Sequence, residues 1–159
     1  MNGKAYVYDK DHINTDEIIP ARYLVTDDEE ELAKHAMEDL DKNFVHHFKA
    51  GDFIVAGFDF GCGSSREHAI WALRGAGVSC VVAESFARIF YRNAINNGFA
   101  VVECKGITKD VAIGDELEIN TRKGILKNIS TGKVFNFMPI TDFAANIAKA
   151  GGLLQSIKR

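Results

Sequence analysis

The pattern of hydrophobic and polar positions is clearest in the middle of the chain. Three short apolar runs lie there, each the length of one buried strand: DFIVAG (52–57), SCVVAES (79–85) and FAVVEC (99–104). The two stretches between these runs carry apolar residues at the spacing of a helix. A strand–helix–strand–helix–strand order with short connections predicts that the three strands are parallel.

Each intervening stretch predicts one helix with a buried face. The first helix lies within SREHAIWALRGAG and is stopped by Gly75 and Gly77. The second lies within SFARIFYRNAINNG (85–98) and ends at Gly98. The predicted buried positions are Ala69, Ile70, Ala72 and Leu73 in the first helix, and Ile89, Phe90, Ala94 and Ile95 in the second.

The region before this centre has a weaker pattern. AYVYD (5–9) predicts a first strand. The run KDHINTDEIIPARYLVTDD that follows contains Pro20 and has no clear period, so we expect a loop. DDEEELAKHAME (27–38) begins with acidic residues and predicts a helix. NFVHHF (43–48) is interpreted as one further turn of helix.

The region after the centre predicts a different kind of sheet. Three short strands are separated by turns, which indicates antiparallel pairing: DELEINT (115–121), GILKNIS (124–130) and KVFNFMPI (133–140). TDFAANIAKAGG (141–152) predicts a closing helix, with Thr141 as its cap and Gly151 at its end. The fold class is therefore α/β, with a parallel βαβαβ core plus short antiparallel strands.

Composition narrows the class of protein. The 159 residues fit a single domain spanning 1–159, and 47% hydrophobic with 26% charged residues is typical of a globular protein. A net charge of −3 argues against nucleic-acid binding, which needs a basic face. No apolar run reaches the roughly 18 residues of a membrane span. The first residues lack the apolar segment of a signal peptide, so we expect a cytoplasmic protein.

The cysteines predict neither a disulfide framework nor a metal site. Cys62, Cys80 and Cys104 are odd in number, and the sequence has no C-x-x-C pair and no paired His–Cys cluster. Cys80 and Cys104 are interpreted as small apolar core residues. The adjacent histidines His46 and His47 would point apart on a helix, so they do not form a ligand pair.

One glycine-rich segment could hold a ligand. FGCGSSREH (60–68) follows a predicted parallel strand and opens a helix, and ligands bind at the carboxyl ends of such strands. A helix N-terminus attracts anions, and Arg66 adds a bidentate donor for a carboxylate or phosphate. In the alternative interpretation, Ser64 and Glu67 form a capping box and the glycines only make a tight turn. The pattern by itself leaves both interpretations open.

A second segment carries paired acids. NTDEIIPARYLVT (14–26) contains Asp16 and Glu17, with Arg22 and Tyr23 nearby. Taken alone, such charges are most often solvated side chains of a loop.

Together, the segments INTDEI, FGCGSSREHA and ESFARIFYRNAINNG, in this order and at these distances, resemble the small subunits of 3-isopropylmalate dehydratase. These are free-standing counterparts of the last domain of aconitase. The resemblance covers the chain from about residue 4 to the final helix. It implies a swivelling β/β/α domain in a heteromeric hydro-lyase, built as a heterodimer or heterotetramer. The large subunit of such an enzyme holds a [4Fe–4S] cluster, and this chain binds no cofactor itself.

The resemblance also implies roles for individual residues. Ser64 is the expected base, whose alkoxide takes the C–H proton next to a carboxylate of a small hydroxy-di- or tricarboxylate. Ser65 and Arg66 are expected to bind a substrate carboxylate. Asp16 matches the acidic residue that this domain contributes to the cleft, where it would orient groups or join a proton network.

The loop Tyr23-Leu24-Val25-Thr26 is expected to tune substrate choice. Relatives that act on homoaconitate place an arginine where Val25 stands, so Val25 favours a branched alkyl group, as on isopropylmalate. Thr26 is found as readily in the homoaconitate type. Small subunits of the homoaconitate or the methylmalate and dimethylmalate type therefore remain alternatives. So does a non-catalytic module that binds an anion without a partner.

Overall fold

The computed structural model describes residues 1–153, with the side chains at 142, 143 and 145 left aside. Seven strands form one mixed sheet. They are β1 (Asn2–Tyr8), β2 (Phe53–Ala56), β3 (Cys80–Ala83), β4 (Ala100–Glu103), β5 (Glu116–Asn120), β6 (Ile125–Asn128) and β7 (Val134–Asn136). Their order across the sheet is β4-β3-β2-β1-β5-β6-β7.

The sheet is parallel on one side of β1 and antiparallel on the other. β1 to β4 run parallel, and β5 to β7 pair antiparallel, with β5 joined to β1. This confirms the predicted parallel core with its added antiparallel section. β2 and β3 are buried at every position, as expected of strands covered on both faces, whereas β5 alternates between exposed and buried residues.

Two hydrophobic cores lie on opposite faces of the parallel strands. Ile54 and Ala56 of β2 face the core that the helices complete, while Phe53 and Val55 face a second core. That second core contains buried residues of β5, β6 and β7, so the antiparallel strands curl back over the parallel ones. The layers are β/β/α, as the family resemblance implies.

The helices agree with the predicted order, and two single-turn helices are additional. They are α1 (Thr15–Ile18), α2 (Glu29–Ala33), α3 (Phe44–His47), α4 (Glu67–Gly75), α5 (Arg88–Asn96), α6 (Ile107–Asp110) and α7 (Asp142–Ala150). α1 and α6 have no counterpart in the sequence prediction, because a single turn shows no periodicity. α7 begins and ends as predicted: the Thr141 hydroxyl accepts the Ala144 N–H at 3.1 Å, and Gly151 is left-handed.

Three sequence predictions need correction. The run 10–28 is not a plain loop, since it contains α1 and a 3₁₀ turn (Ala21–Tyr23). The helix predicted over 27–38 continues only as turns after Ala33. Met37 there is left-handed, with its N–H donating to the Ile18 carbonyl at 2.7 Å. Ile89, predicted to be buried, lies in the first turn of α5 and is 53% exposed.

Within residues 1–153, the helices are all too short or too polar to cross a membrane.

Candidate functional site

The candidate site forms where the chain leaves two neighbouring parallel strands. β1 and β2 are adjacent, so the segment after β1, which contains α1, lies against the segment after β2, which contains GCGSS. Asn14 and Cys62 form an isolated parallel bridge. The Thr15 N–H donates to the Cys62 carbonyl at 2.9 Å, and the Thr15 hydroxyl donates to the Ser64 carbonyl at 3.0 Å. The two segments singled out from the sequence are therefore joined through their backbones.

Gly61 explains why this loop needs glycine. Its φ is +84°, and a Cβ there would lie 2.2 Å from the Phe90 ring of α5. Its N–H donates to the Ile13 carbonyl at 2.7 Å. A side chain would therefore push the loop away from α5, which forms the opposite wall of the site.

Ser64 does not cap the following helix. α4 begins at Glu67 with Arg66 as its N-cap residue, and no side chain makes the capping hydrogen bond. The capping-box interpretation of Ser64 and Glu67 is therefore wrong. Ser64 is exposed, and its hydroxyl makes no hydrogen bond within the described part of the chain.

The capping box of this region belongs to α1 instead. The Glu17 N–H donates to the Asn14 side chain at 2.8 Å, and the Asn14 N–H donates to the Glu17 carboxylate at 3.2 Å. Glu17 also pairs with Lys10. The second acid of TDEI therefore stabilises the one-turn helix, which leaves Asp16 free to face the glycine-rich loop.

Arg66 and Asp16 form an ion pair. Arg66 Nη1 lies 2.5 Å from Asp16 Oδ1, and the Arg66 side chain is 19% exposed against 61% for Asp16. A guanidinium has five N–H donors in a planar fork. Asp16 can therefore hold the fork in place while other donors of Arg66 remain able to bind a second carboxylate.

A pocket of about 290 Å³ lies between the loop and the start of α5. Its polar lining comes from three segments: Thr15, Ser64, Ser65, Arg66, Arg88 and Asn93. Asn93 Nδ2 donates to the Ser65 hydroxyl at 3.3 Å, which makes Asn93 a site residue beyond those assigned a role from the sequence. The segment SFARIFYRNAINNG was singled out for its resemblance, but nothing in its pattern tells which polar residue faces the pocket.

A larger cavity elsewhere offers less chemistry. It measures about 600 Å³ and lies between the N-terminus, β4 and α7. Its charged side chain is Arg74, which is already bonded to the Glu29 carboxylate and the Asn97 carbonyl. The cavity is otherwise largely apolar, so it does not compete with the pocket at Ser64 as a catalytic site.

The predicted substrate loop is anchored at both ends and does not line the pocket. At its start, Arg22 bonds Glu38 and Asp39, each at 2.9 Å. At its end, His68 Nε2 of α4 lies 3.0 Å from Asp27 Oδ1. The structure therefore brings Asp16, Ser64, Ser65 and Arg66 together, whereas the pocket lining does not include Tyr23, Leu24, Val25 and Thr26.

Within this loop, Val25 differs from its neighbours. Tyr23 stacks on His35 with ring centroids 3.6 Å apart, and its hydrogen bond is the main cause that lowers the pKa of Glu38. Leu24 packs against the helical core, whereas Val25 is 92% exposed. The loop therefore presents one alkyl side chain to whatever lies outside this chain.

The cysteines are not gathered into a cluster site. Cys80 and Cys104 are buried in the core beneath the antiparallel strands, and Cys62 lies in the glycine-rich loop. All three are free thiols. The structure does bring Cys62 close to His12 and Asp59, a grouping that no spacing along the sequence indicates.

Comparisons with known proteins agree with this geometry. Residues 7–106 match the family model described as the aconitase C-terminal domain. The chain is 60% identical to "3-isopropylmalate dehydratase small subunit 2" of Deinococcus radiodurans, over 96% of this chain and 74% of that protein. It is 53% identical to "Isopropylmalate/citramalate isomerase small subunit" of Methanocaldococcus jannaschii, over 93% of this chain and 88% of that protein.

A solved structure has the same fold. A crystal structure of 3-isopropylmalate dehydratase from Methanocaldococcus jannaschii superposes with a TM-score of 0.92 and 42% identity. The match covers 99% of this chain and 92% of that one.

Proposed function

The chain belongs to the aconitase C-terminal domain family, among the small subunits of 3-isopropylmalate dehydratase, and we propose that it serves a hydro-lyase interconverting 2-isopropylmalate and 3-isopropylmalate. The reaction removes water from the hydroxy acid and adds it back at the neighbouring carbon. The working enzyme is a cytoplasmic heterodimer or heterotetramer with a large subunit. In leucine biosynthesis, this step moves the hydroxyl group between adjacent carbons.

One observation carries the proposal. The ion pair between Arg66 and Asp16 brings the TDEI segment and the GSSR segment to one pocket beside the exposed Ser64. Proton abstraction next to a carboxylate requires one group that binds the carboxylate and one that takes the proton. Arg66, which Asp16 holds in place, can bind the carboxylate, and the free Ser64 hydroxyl near the start of α4 can act as the base.

Ser64 is the proposed base. Its Oγ, as an alkoxide, takes the C–H proton while the hydroxyl group leaves the neighbouring carbon. The N-terminus of α4 and the guanidinium of Arg66 lie beside Ser64 in sequence and favour the negative charge on Oγ. Because Ser64 is not used as a cap, no hydrogen bond to the helix must break before it accepts a proton.

Ser65 and Arg66 are the proposed carboxylate ligands. Asp16 fixes one edge of the Arg66 guanidinium, and Asn93 donates to the Ser65 hydroxyl. Both contacts hold their partners in position before substrate arrives, which reduces the entropy lost on binding. Asp16 thus acts on the substrate through Arg66.

The large subunit is the proposed holder of a [4Fe–4S] cluster. This chain offers one cysteine near the site and two in the core, which does not fit the cysteine set that such a cluster needs. When bound, the cluster would act as a Lewis acid on the substrate hydroxyl and one carboxylate. The large subunit would contact this chain at the exposed face of the pocket.

Val25 favours a substrate with an alkyl substituent. An apolar contact of this size discriminates by only about 1–3 kcal/mol, whereas a third carboxylate would lack a partner beside Val25. The methylmalate or dimethylmalate type remains the nearest alternative, and one relative is named for both isopropylmalate and citramalate. The homoaconitate type is less favoured, because it needs a cation at this position.

Reconstitution tests the proposal. We expect the purified chain to be inactive alone and to isomerise 2-isopropylmalate once a cluster-loaded large subunit of a relative is added. Calorimetry of the chain alone against phosphate, citrate and isopropylmalate tests the rival, a stand-alone anion-binding module. Tight binding without the partner, together with no activity in its presence, would support the rival and contradict the proposal.

A further inference from the structure

Three metal-ligating side chains meet beside the glycine-rich loop. The imidazole of His12, the carboxylate of Asp59 and the thiol of Cys62 lie with their ligand atoms within 4.8 Å of one another. His12 Nδ1 is 2.9 Å from Asp59 Oδ2. None of the three lines the pocket at Ser64, so the grouping is separate from the proposed catalytic residues.

The backbone holds this grouping in an uncommon conformation. His12 and Asp59 both have positive φ, at 56° and 60°, although neither is glycine. The His12 N–H donates to the Phe58 carbonyl at 2.7 Å, and the Asp59 N–H donates to the Ser85 hydroxyl at 2.8 Å. Left-handed backbone is unfavourable at a residue with a side chain. These hydrogen bonds hold both side chains on the same side of the two connected loops.

The three donors are of different kinds. An imidazole nitrogen, a carboxylate oxygen and a thiolate sulfur together suit Zn²⁺, while Ca²⁺ and Mg²⁺ favour sites made of oxygen alone. We propose that His12, Asp59 and Cys62 bind one divalent transition-metal ion, foremost Zn²⁺, with a fourth position open to water or a small ligand. Three protein ligands and one open position are usual where zinc exchanges a ligand.

The charges and protons of the site balance. Burial, followed by the nearby Asp59, raises the pKa of the Cys62 thiol, so the metal-free chain carries a neutral thiol there. Binding of the ion releases this proton to solvent and forms a sulfur–metal bond. The resulting thiolate and the Asp59 carboxylate then neutralise the two positive charges. The raised pKa also makes Cys62 a poor target for oxidation, which proceeds through the thiolate.

The surroundings allow an ion to enter. The His12 side chain is 71% exposed and that of Asp59 is 41% exposed. The nearby cation Lys10 is paired with Glu17, which reduces its repulsion of a second cation. Because Cys62 stands between Gly61 and Gly63, a bound ion would tie the glycine-rich loop to the segment that follows β1.

Cobalt titration of the purified chain, reduced and free of chelators, tests the site without any large subunit. We expect one Co²⁺ per chain, a thiolate-to-cobalt charge-transfer band, and loss of that band when Zn²⁺ is added. Cys62→Ser should abolish the band. Asp59→Asn and His12→Asn should each weaken binding about tenfold or more, since even outer-sphere partners of a metal are worth that much. Asparagine is chosen at both positions because it tolerates positive φ.

A second exposed histidine–carboxylate pair provides the control. His68 and Asp27 lie 3.0 Å apart, and no cysteine groups with them among the described residues. His68→Asn should leave the cobalt spectrum and affinity unchanged. No charge-transfer band in the native chain, or a band that survives Cys62→Ser in a chain whose thermal unfolding is unchanged, would overturn the assignment. Should Cys62→Ser fail to fold, Cys62→Ala is measured in its place. The readout is independent of isomerase activity, so failure of either proposal leaves the other intact.

Discussion

Arg66 and Asp16 lie 50 positions apart in the sequence and meet as an ion pair, Nη1 to Oδ1 at 2.5 Å. The pair bridges the two parallel connections that carry the candidate chemistry. The Arg66 side chain is mostly covered, whereas that of Asp16 is mostly exposed. Kinetics of variants at the two positions measure what this ion pair contributes to catalysis.

Asp16→Asn should loosen Arg66 without unfolding the chain. Because Asp16 is exposed, we expect a modest loss of about tenfold in kcat/KM, in line with one hydrogen bond between charged groups. Steady-state kinetics of the reconstituted enzyme measures it. The adjacent Glu17→Gln is the matched control, since glutamine preserves the capping box with Asn14 and removes the same charge. Equal losses in both variants would contradict the role of Asp16.

Arg66→Lys should raise KM and lower kcat together. Lysine keeps the positive charge but cannot hold Asp16 and a substrate carboxylate in one planar fork. The kinetic comparison is with Arg92→Lys, because Arg92 is exposed on α5 and does not line the pocket at Ser64. If KM and kcat were unchanged in Arg66→Lys, Arg66 would not be a ligand of the substrate carboxylate.

Asn14 caps a helix and Ser64 does not, so the two residues should differ in their contribution to stability. Asn14→Ala removes the side-chain acceptor at the start of α1 and should lower the free energy of unfolding by about 1 kcal/mol. Ser64→Ala should change it by less than about 0.5 kcal/mol, because that hydroxyl is exposed and caps nothing. Denaturant titration of the isolated chain compares the two. The reverse ranking would restore the capping interpretation of Ser64.

The parts of the fold that could be predicted are those where burial repeats along the sequence. β2 and β3 are continuous apolar runs, β4 is apolar up to Val102, and α4 buries the four residues that its spacing indicated. The exceptions are residues whose spacing predicts burial but which lie where no neighbouring element covers them. Ile89 has the right spacing, but it falls in the first turn of α5 and faces the pocket and solvent. The spacing of apolar residues shows which face of a helix is apolar, but it does not show how much of that face the neighbouring elements cover.

The motifs that form the site could be predicted from the sequence, but the contacts between them could not. The resemblance identified Asp16, Ser64, Ser65 and Arg66, and the structure brings all four together. The cap was misassigned because Ser64-x-x-Glu67 and Asn14-x-x-Glu17 are equivalent as local patterns. In the structure α1 begins directly after Asn14, whereas α4 begins only at Glu67, so Ser64 lies two residues before the N-cap position. The grouping of His12 with Asp59 depends on the long-range pairing of the segments that follow β1 and β2.

Val25 should control substrate choice. Val25→Arg places a cation on the exposed tip of the anchored loop, so kcat/KM should fall for isopropylmalate and rise for homoaconitate. A change in the ratio of about 10- to 200-fold is the expected scale for one such contact. Val25→Leu keeps an alkyl group and serves as the control. If Val25→Arg left the ratio as it was, the loop would not contact the distal part of the substrate.

The most direct test of the account is turnover of 2-isopropylmalate by reconstituted enzyme carrying Ser64→Ala. We expect kcat to fall by at least about 100-fold, the usual scale for loss of a base, with exchange of the substrate C–H proton into solvent lost in parallel. Ser65→Ala should instead act mainly on KM. Turnover and proton exchange at the level of the unmodified enzyme in Ser64→Ala would contradict the assignment of Ser64 as the base.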